Sequence, residues 1–170
     1  MNFTLLTAKN TELYCWTELG VHMDSRIERQ RAIVAEHMRC ENGHDWPAVY
    51  ETFVQDERAF YDVIPLKASF KGIEGVRQFY QTIATAVPDL HIQVTAQYDA
   101  PGCTICETTI SGTHLGPYLD MAASGNSVSF ELAAFYFFDE DCSKLVAERI
   151  YYDQASVMAQ MQPTQVAKSA

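Results

Sequence analysis

The chain has 170 residues, of which 48% are hydrophobic, and its 12 basic and 22 acidic residues give a formal net charge of −10. This length fits one domain built around a single core. The acidic balance, with no cluster of Lys and Arg, argues against nucleic acid or an anionic membrane as a partner.

The N-terminal part of the chain is predicted to be helical. Residues 1–24 show no clear period and form an N-terminal extension with neither a signal peptide nor a membrane span, which predicts a soluble, cytoplasmic protein. A first helix is predicted from about residue 25 to Cys40, because apolar residues recur three and four positions apart. Asp45 is placed to cap a short second helix that begins at Trp46.

The middle of the chain is predicted to hold one strand and a third helix. Phe60 to Ile64 has the composition of a strand and is closed by Pro65. Gly72 starts a segment whose apolar residues have helical spacing as far as Pro88.

The second half changes to a period of two, which is typical of strands. The predicted strands cover residues 90–98, 103–113, 128–138 and 144–152, with Gly, Pro, Asn and acidic residues between them. A short helix from Gln154 to Met161 closes a domain of residues 25–162, and residues 163–170 form a tail. Helices followed by antiparallel strands predict an α+β fold.

The five cysteines are an odd number scattered through a chain that needs no disulfides, so reduced thiols are predicted. Cys103 and Cys106 form a C-x-x-C, but it follows a turn and opens a β-rich segment, without a second pair. We therefore predict neither a zinc site nor a redox site there.

Five short segments occur in an order that resembles a known family. They are Phe70-Lys71-Gly72-Ile73-Glu74-Gly75-Val76, Val87-Pro88-Asp89-Leu90, Gly112-Thr113-His114-Leu115-Gly116-Pro117-Tyr118, Gly125 before the long strand, and Tyr152-Asp153 before the last helix. From about Ile27 to Met161 the chain resembles the SnoaL-like polyketide cyclase branch of the nuclear transport factor 2-like superfamily. The resemblance implies a cone-shaped barrel, in which a curved, mostly antiparallel sheet wraps around three N-terminal helices and an apolar cavity, often in a homodimer.

Asp153 is the predicted catalytic acid/base. In the cyclases that the chain resembles, a carboxylate near the end of the last strand removes a proton next to a carbonyl group. Arg149, Tyr151 and Asp153 share one face of this strand by period two, so Tyr151 is predicted to donate a hydrogen bond to a ligand oxygen. The alternative is that Asp153 caps the helix that follows it.

The histidines leave the catalytic assignment open. The resembling cyclases place a histidine on the strand before the aspartate, and residues 130–138 contain none. His114 is the nearest substitute for a catalytic histidine, unless it holds its own loop in place. The other histidines lack metal-ligand spacing and are interpreted as surface or packing residues, with no metal site predicted: His22, His37, His44 and His91.

The wall of the cavity should carry the ligand-binding residues. Glu131 and Asp62 interrupt apolar strands, and each lies either inside the cone as a buried carboxylate or outside as a solvated one. Aromatic residues are either core or cavity wall. The predicted substrate-binding set is Trp46, Tyr50, Phe53, Phe60, Asp62, Glu131, Phe135 and Arg149.

Two classes of function follow from these observations. The first is a cofactor-independent general acid/base enzyme, an aldol cyclase, isomerase or dehydratase, acting on an apolar carbonyl compound. The second is a non-catalytic module of the same fold that binds a hydrophobic ligand or serves as a dimeric interaction module. The expected partners are a small apolar ligand and a second copy of the chain, because residues 133–138 are apolar on both faces of a strand.

Overall fold

The computed structural model describes residues 11–163, and the side chains of residues 25–163. This part of the chain forms four α-helices and six strands. They are α1 (Thr11–Asn42), α2 (Trp46–Glu51), β1 (Phe60–Val63), β2 (Ala68–Lys71), α3 (Gly72–Ala86), β3 (His91–Ala100), β4 (Cys103–Thr113), β5 (Ser127–Phe138), β6 (Leu145–Tyr152) and α4 (Gln154–Met161). Among the described residues, no helix has both the length and the apolar character that crossing a membrane requires.

The six strands form one curved sheet in the order β2-β1-β6-β5-β4-β3. Neighbouring strands are antiparallel except β1 and β6, which are parallel. Register shifts between Val94 and Ala96 and between Phe137 and Phe138 are irregularities of the kind that bends a sheet. The predicted α+β fold with a mostly antiparallel, curved sheet is confirmed, and the cone is an open one because β2 and β3 do not pair.

Within residues 11–163, the helices cover one face of the sheet, here called the inner face, and none of them covers the opposite, outer face. Alternation along β6 puts Glu148 and Ile150 on the inner face, where both are buried, and Tyr151 on the outer face, where it is exposed. The main core lies between the inner face and helices α1 to α3, with Phe53 and Leu145 fully buried in it. Burial of side chains of this size stabilises the fold by roughly 1.5–3 kcal/mol each.

The structure corrects two predicted elements. The first helix does not begin near residue 25, because α1 extends back to Thr11. Once a helix has formed, each added residue gains one backbone hydrogen bond. A helix can therefore continue into a segment that has no apolar stripe. The strand β2 was not predicted, since four residues are too few to show a period of two.

Two glycines of the resembling segments occupy positions that only glycine tolerates well. Gly125 has a φ of +73° in the turn that leads into β5. Gly112 lies inside β4, where an added Cβ would meet Val87 Cγ1 at 2.3 Å. The connection between α3 and β3 therefore packs directly against the end of β4.

Candidate functional site

An apolar cavity of about 150 Å³ lies between the inner face of the sheet and the helices. It reaches the surface beside Leu119, whose side chain lines the cavity and is 55% exposed. Most of its wall is aliphatic or aromatic, including Leu66, Phe70, Ile83, Ile110, Leu132 and Ile150. Two carboxylates, Glu41 and Glu148, interrupt this wall. Their presence in an otherwise apolar cavity marks this end of it as the candidate site.

Glu148 is the centre of a buried hydrogen-bond network. Its Oε1 accepts a hydrogen bond from the Tyr61 hydroxyl at 3.0 Å, and its Oε2 accepts one from the Tyr80 hydroxyl at 3.0 Å. His37 Nε2 lies 3.3 Å from Glu148 Oε2 and 3.5 Å from Glu41 Oε2. We call His37, Glu41 and Glu148 the carboxylate–histidine cluster; all three are buried.

Helix and strand geometry bring the cluster together. His37 and Glu41 are four residues apart on α1, so both project from one face of the helix. Glu148 projects from β6 in the middle of the sheet, towards that face. The cluster thus joins one helix to a strand more than 100 residues away in the sequence.

The hydrogen bonds of Thr52 fix one proton on His37. The Thr52 hydroxyl donates its only hydrogen to the Val49 carbonyl oxygen at 2.6 Å. It must therefore accept from His37 Nδ1, 2.8 Å away, so Nδ1 carries a hydrogen. This bond orients the imidazole so that Nε2 faces the two carboxylates.

The cluster favours a protonated imidazole between the two acids. Burial opposes the charge on His37, but the carboxylates of Glu41 and Glu148 outweigh it and raise the pKa of the imidazole to about 10. Burial raises the pKa of the Glu148 carboxyl above its ordinary value, and the hydrogen bond with His37 opposes that rise. One imidazolium between two carboxylates leaves one unbalanced negative charge, and its burial is costly.

The tyrosines around Glu148 remain neutral hydroxyl groups. Burial, helped by the negative charge of Glu148, raises the pKa of Tyr61, Tyr80 and Tyr136 well above the usual range. Each phenol therefore keeps its hydrogen and can donate it. Tyr61 and Tyr80 donate to Glu148, and a further phenol beside the buried carboxyl, that of Tyr136, suits an anion that develops on a ligand oxygen.

Among the described residues, the cluster also offers three possible metal ligands, one from each side chain and all within 4.8 Å of one another. An imidazolium has no free lone pair on either nitrogen. A metal would therefore have to displace the proton from Nε2, as metal binding at histidine generally does.

A comparison with protein families shows the family to which the chain belongs. Residues 31–161 match the model of the SnoaL-like polyketide cyclases. The chain belongs to this family. No functionally curated protein matches it.

Several solved structures share its fold. A candidate SnoaL-like polyketide cyclase from Jannaschia sp. CCS1 is 18% identical, with a TM-score of 0.71 over 79% of this chain and 92% of that one. AclR, a candidate hydroxylase from Streptomyces galilaeus, is 16% identical, with a TM-score of 0.68 over 79% and 96% of the two chains. A protein with a ketosteroid isomerase-like fold from Catenulispora acidiphila DSM 44928, solved with trimethylamine, is 19% identical, with a TM-score of 0.63 over 76% and 91%.

In this SnoaL-like protein, Asp153 does not occupy the position that was predicted for it. Its Oδ1 accepts hydrogen bonds from the backbone N–H groups of Ala155 at 3.0 Å and Ser156 at 3.2 Å, so it caps α4. The side chain is exposed and does not line the cavity. The prediction of Asp153 as an acid inside the pocket is therefore wrong, and its helix-cap alternative describes the structure.

Replacing Asp153 with Ala should lower the free energy of unfolding by about 1 kcal/mol, because the first turn of α4 loses its cap. Urea denaturation measures this loss. Replacing the exposed Asp120 with Ala is the matched control and should leave stability within about 0.5 kcal/mol of the wild type. Unchanged stability in Asp153→Ala would show that the cap contributes nothing.

The outer face holds six other residues that were predicted for the site. Arg149 pairs with Asp62 at 3.2 Å, and Tyr151 packs edge-on against Phe135 with ring centroids 5.4 Å apart. Lys71 lies over the ring of Phe60. Glu131 is exposed and accepts from the Thr109 hydroxyl, which matches its solvated alternative. None of these six residues lines the cavity, so the structure does not bring them to the candidate site: Phe60, Asp62, Glu131, Phe135, Arg149 and Tyr151.

The remaining predicted residues are all on the inner side. Trp46 lines the cavity. Tyr50 and Phe53 are buried in the core outside the cavity lining, and the Phe53 ring contacts His37 edge-on at 5.5 Å between centroids. His114 is buried away from the cavity, with Nδ1 3.1 Å from Ser124 Oγ, so it holds its own loop in place rather than facing the cavity.

The residues of the cluster were not predicted from the sequence as site residues. His37 was interpreted as a surface or packing residue, and Glu41, Tyr61 and Glu148 were not singled out. The family's expected histidine is absent from β5, but His37 reaches the carboxylate from α1 instead. A signal was present: Glu148 alternates with Val146 and Ile150 in β6, as an inward-facing acid would.

Proposed function

We propose that this SnoaL-like protein is a cofactor-independent general acid/base enzyme that moves a proton at a carbon next to a carbonyl group, with Glu148 as the acid/base. The observation that carries the proposal is a buried carboxyl in an apolar cavity, held by Tyr61, Tyr80 and His37. Aldol cyclisation and double-bond isomerisation both begin with this proton transfer. The substrate class is a small apolar carbonyl compound, which suits the wall of the cavity.

The lone pairs of Glu148 support a role as a base. A carboxylate can accept at about four lone-pair positions. The Tyr61 hydroxyl, the Tyr80 hydroxyl and His37 Nε2 account for three contacts. Tyr136 also interacts with Glu148, so the fourth position becomes free for a hydrogen of the ligand when Tyr136 donates to the ligand instead. Burial raises the pKa of the carboxyl, which favours uptake of that hydrogen.

Tyr136 supplies the complementary group. It lines the same cavity, is buried and keeps its hydroxyl hydrogen. In our proposal it donates to the carbonyl oxygen of the ligand, where negative charge develops as Glu148 takes the proton.

Hydrogen–deuterium exchange tests this function without knowledge of the natural substrate. We expect the protein to accelerate deuterium uptake from D₂O at the carbons next to the carbonyl of 2-tetralone, followed by ¹H NMR against buffer alone. Binding of 2-tetralone with no acceleration would favour the alternative, a module that binds hydrophobic ligands without catalysis.

A homodimer formed through the outer face is part of the proposal. Tyr98 and Tyr151 are 55% and 42% exposed there, beside half-buried Ile105 and Phe135, and Tyr98, Ile105 and Phe135 lie in register on neighbouring strands. Exposed aromatic groups on an uncovered sheet face are typical of an interface.

Sedimentation velocity at micromolar concentration should therefore give a dimer for the wild type and a monomer for the double variant Tyr98→Glu/Tyr151→Glu, since burial of unpaired charges is costly. Leu115→Glu is the control, because Leu115 is equally exposed but lies in the loop after β4. A monomeric wild type, or a double variant that stays dimeric, would rule out this interface.

A further inference from the structure

We infer that Glu41 is a specificity residue that accepts a hydrogen bond from a hydroxyl group of the ligand, so that the substrate is a β-hydroxy carbonyl compound. This inference rests on the proposed function, because it places the hydroxyl relative to the carbon at which Glu148 acts. It assigns a role to the second carboxylate of the cavity, which the proposed proton transfer does not use.

The carboxylate of Glu41 lacks a hydrogen bond that its burial demands. Its side chain is 7% exposed, and among the described residues none donates a hydrogen bond to its Oε2. The contact with His37 Nε2, at 3.5 Å, is longer than the usual range of an N–H···O bond. A buried acceptor without a partner is costly, so a donor is expected to complete it.

The position of Glu41 indicates where that donor comes from. Its side chain lines the cavity, whose wall is otherwise mainly apolar. The three tyrosine hydroxyls of this region are not available, because Tyr61 and Tyr80 donate to Glu148 and our proposal gives Tyr136 to the carbonyl oxygen. The ligand, which fills the cavity, then supplies the hydrogen.

A hydroxyl group fits this position better than a cation. The wall around Glu41 is mainly apolar, so a cation would lose most of its hydration there, whereas a neutral hydroxyl group loses much less. A hydrogen bond from a hydroxyl to a carboxylate is short and strong compared with a neutral pair.

The distance between the two acids sets the relation between the two ligand groups. One carboxylate oxygen of Glu41 and one of Glu148 lie within 4.8 Å of each other. A hydroxyl on the carbon next to the one that loses its proton can reach Glu41 while that proton faces Glu148. A hydroxyl on the carbon next to an enolisable one is the β-hydroxy carbonyl pattern of an aldol product.

A matched pair of ligands tests this inference by binding alone. In 4-hydroxy-4-phenylbutan-2-one the hydroxyl has the required position, and 4-phenylpentan-2-one replaces it with a methyl group of similar size. Isothermal titration calorimetry at pH 7 should show that the wild type binds the hydroxy ketone at least about tenfold more tightly, as expected for a hydrogen bond to a charged acceptor.

Variants of Glu41 should remove this preference. Glu41→Met keeps the length of the side chain and removes the acceptor, so the two ligands should bind equally or the methyl compound more tightly. Glu41→Gln keeps a neutral acceptor, guards against a Met variant that fails to fold, and should reduce the preference severalfold. Glu36→Gln, half exposed on the same helix and paired with Arg39, is the control and should keep the full preference.

The inference is overturned if the wild type binds both ketones equally, if it binds neither at millimolar concentration, or if the preference survives in Glu41→Met and Glu41→Gln. Its failure is distinguishable from that of the proposed function. If the protein catalyses deuterium exchange into 2-tetralone but shows no preference for the hydroxy ketone, only the role of Glu41 is overturned. If it prefers the hydroxy ketone but catalyses no exchange, the proposed function is overturned and a binding site for hydroxy ketones remains.

Discussion

Replacing Glu148 with Gln is expected to slow deuterium exchange into 2-tetralone by about 10²–10⁴-fold, the usual contribution of a positioned acid/base. Gln keeps the shape of the side chain, and its single amide oxygen can still accept from one of the two tyrosine hydroxyls, but its amide does not take up a proton near neutral pH. The loss should therefore appear in the rate of exchange and not in binding. Exchange rates from ¹H NMR and dissociation constants from calorimetry measure the two quantities.

Glu131→Gln provides the control for this substitution. Glu131 is a strand carboxylate like Glu148, but it lies exposed on the outer face. The Glu131→Gln variant should catalyse deuterium exchange into 2-tetralone at the wild-type rate. Wild-type exchange in Glu148→Gln, with binding intact, would exclude Glu148 as the base.

The free energy of unfolding should fall as the pH rises from about 6.5 to 8.5, by up to about 1.4 kcal/mol per pH unit. The folded state keeps its proton on His37, whose pKa is raised to about 10, whereas the unfolded chain loses this proton near pH 6.5. The contribution of His37 is thus fully present below pH 6.5 and is lost as the pH rises through 10. The raised pKa of Glu148 acts with the same sign, because the folded state binds its proton more tightly than the unfolded chain does.

Urea denaturation at several pH values measures this slope, and NMR of the imidazole shows its origin. In the folded protein His37 should remain an imidazolium throughout this range, and in the urea-unfolded protein the same residue should titrate near pH 6.5. A folded protein in which His37 titrates near 6.5, with stability constant between pH 6.5 and 8.5, would contradict the protonation of the cluster.

Much of the fold could be predicted because the ends of its helices and strands are set by residues close by in the sequence. The helix α4 was predicted with the bounds that it has, since Asp153 caps it and Pro163 follows it. The long strands were predicted from their period of two and from the turns between them. The start of α1 and the strand β2 were not, because neither has a local signal strong enough to mark it.

The site could be predicted only in part, because the sequence does not show which face of the last strand lines the cavity. A carboxylate on the last strand was expected, and β6 does place one in the cavity, but it is Glu148 rather than Asp153. Residues of odd and even number on β6 point to opposite sides. The prediction chose the face of Arg149 and Tyr151, whereas the cavity lies on the face of Glu148 and Ile150. The pattern shows that two faces exist and does not say which of them the helices cover.

The role of His37 in the cluster could not be predicted, for a different reason. His37 and Glu41 have the spacing of an ordinary pair on the surface of a helix. Their burial depends on β6, whose residues follow them by more than 100 positions. Such a contact is a property of the tertiary fold, which no local pattern encodes.

The most direct test of the account compares Glu148→Gln and Asp153→Asn side by side in the 2-tetralone exchange assay. Asp153 lies at the chain position that the resemblance indicated, and Glu148 lies in the cavity. We predict that Glu148→Gln loses about 10²–10⁴-fold in exchange rate and that Asp153→Asn keeps the wild-type rate. The opposite result, with exchange lost in Asp153→Asn and kept in Glu148→Gln, would contradict the assignment of Glu148 as the acid/base.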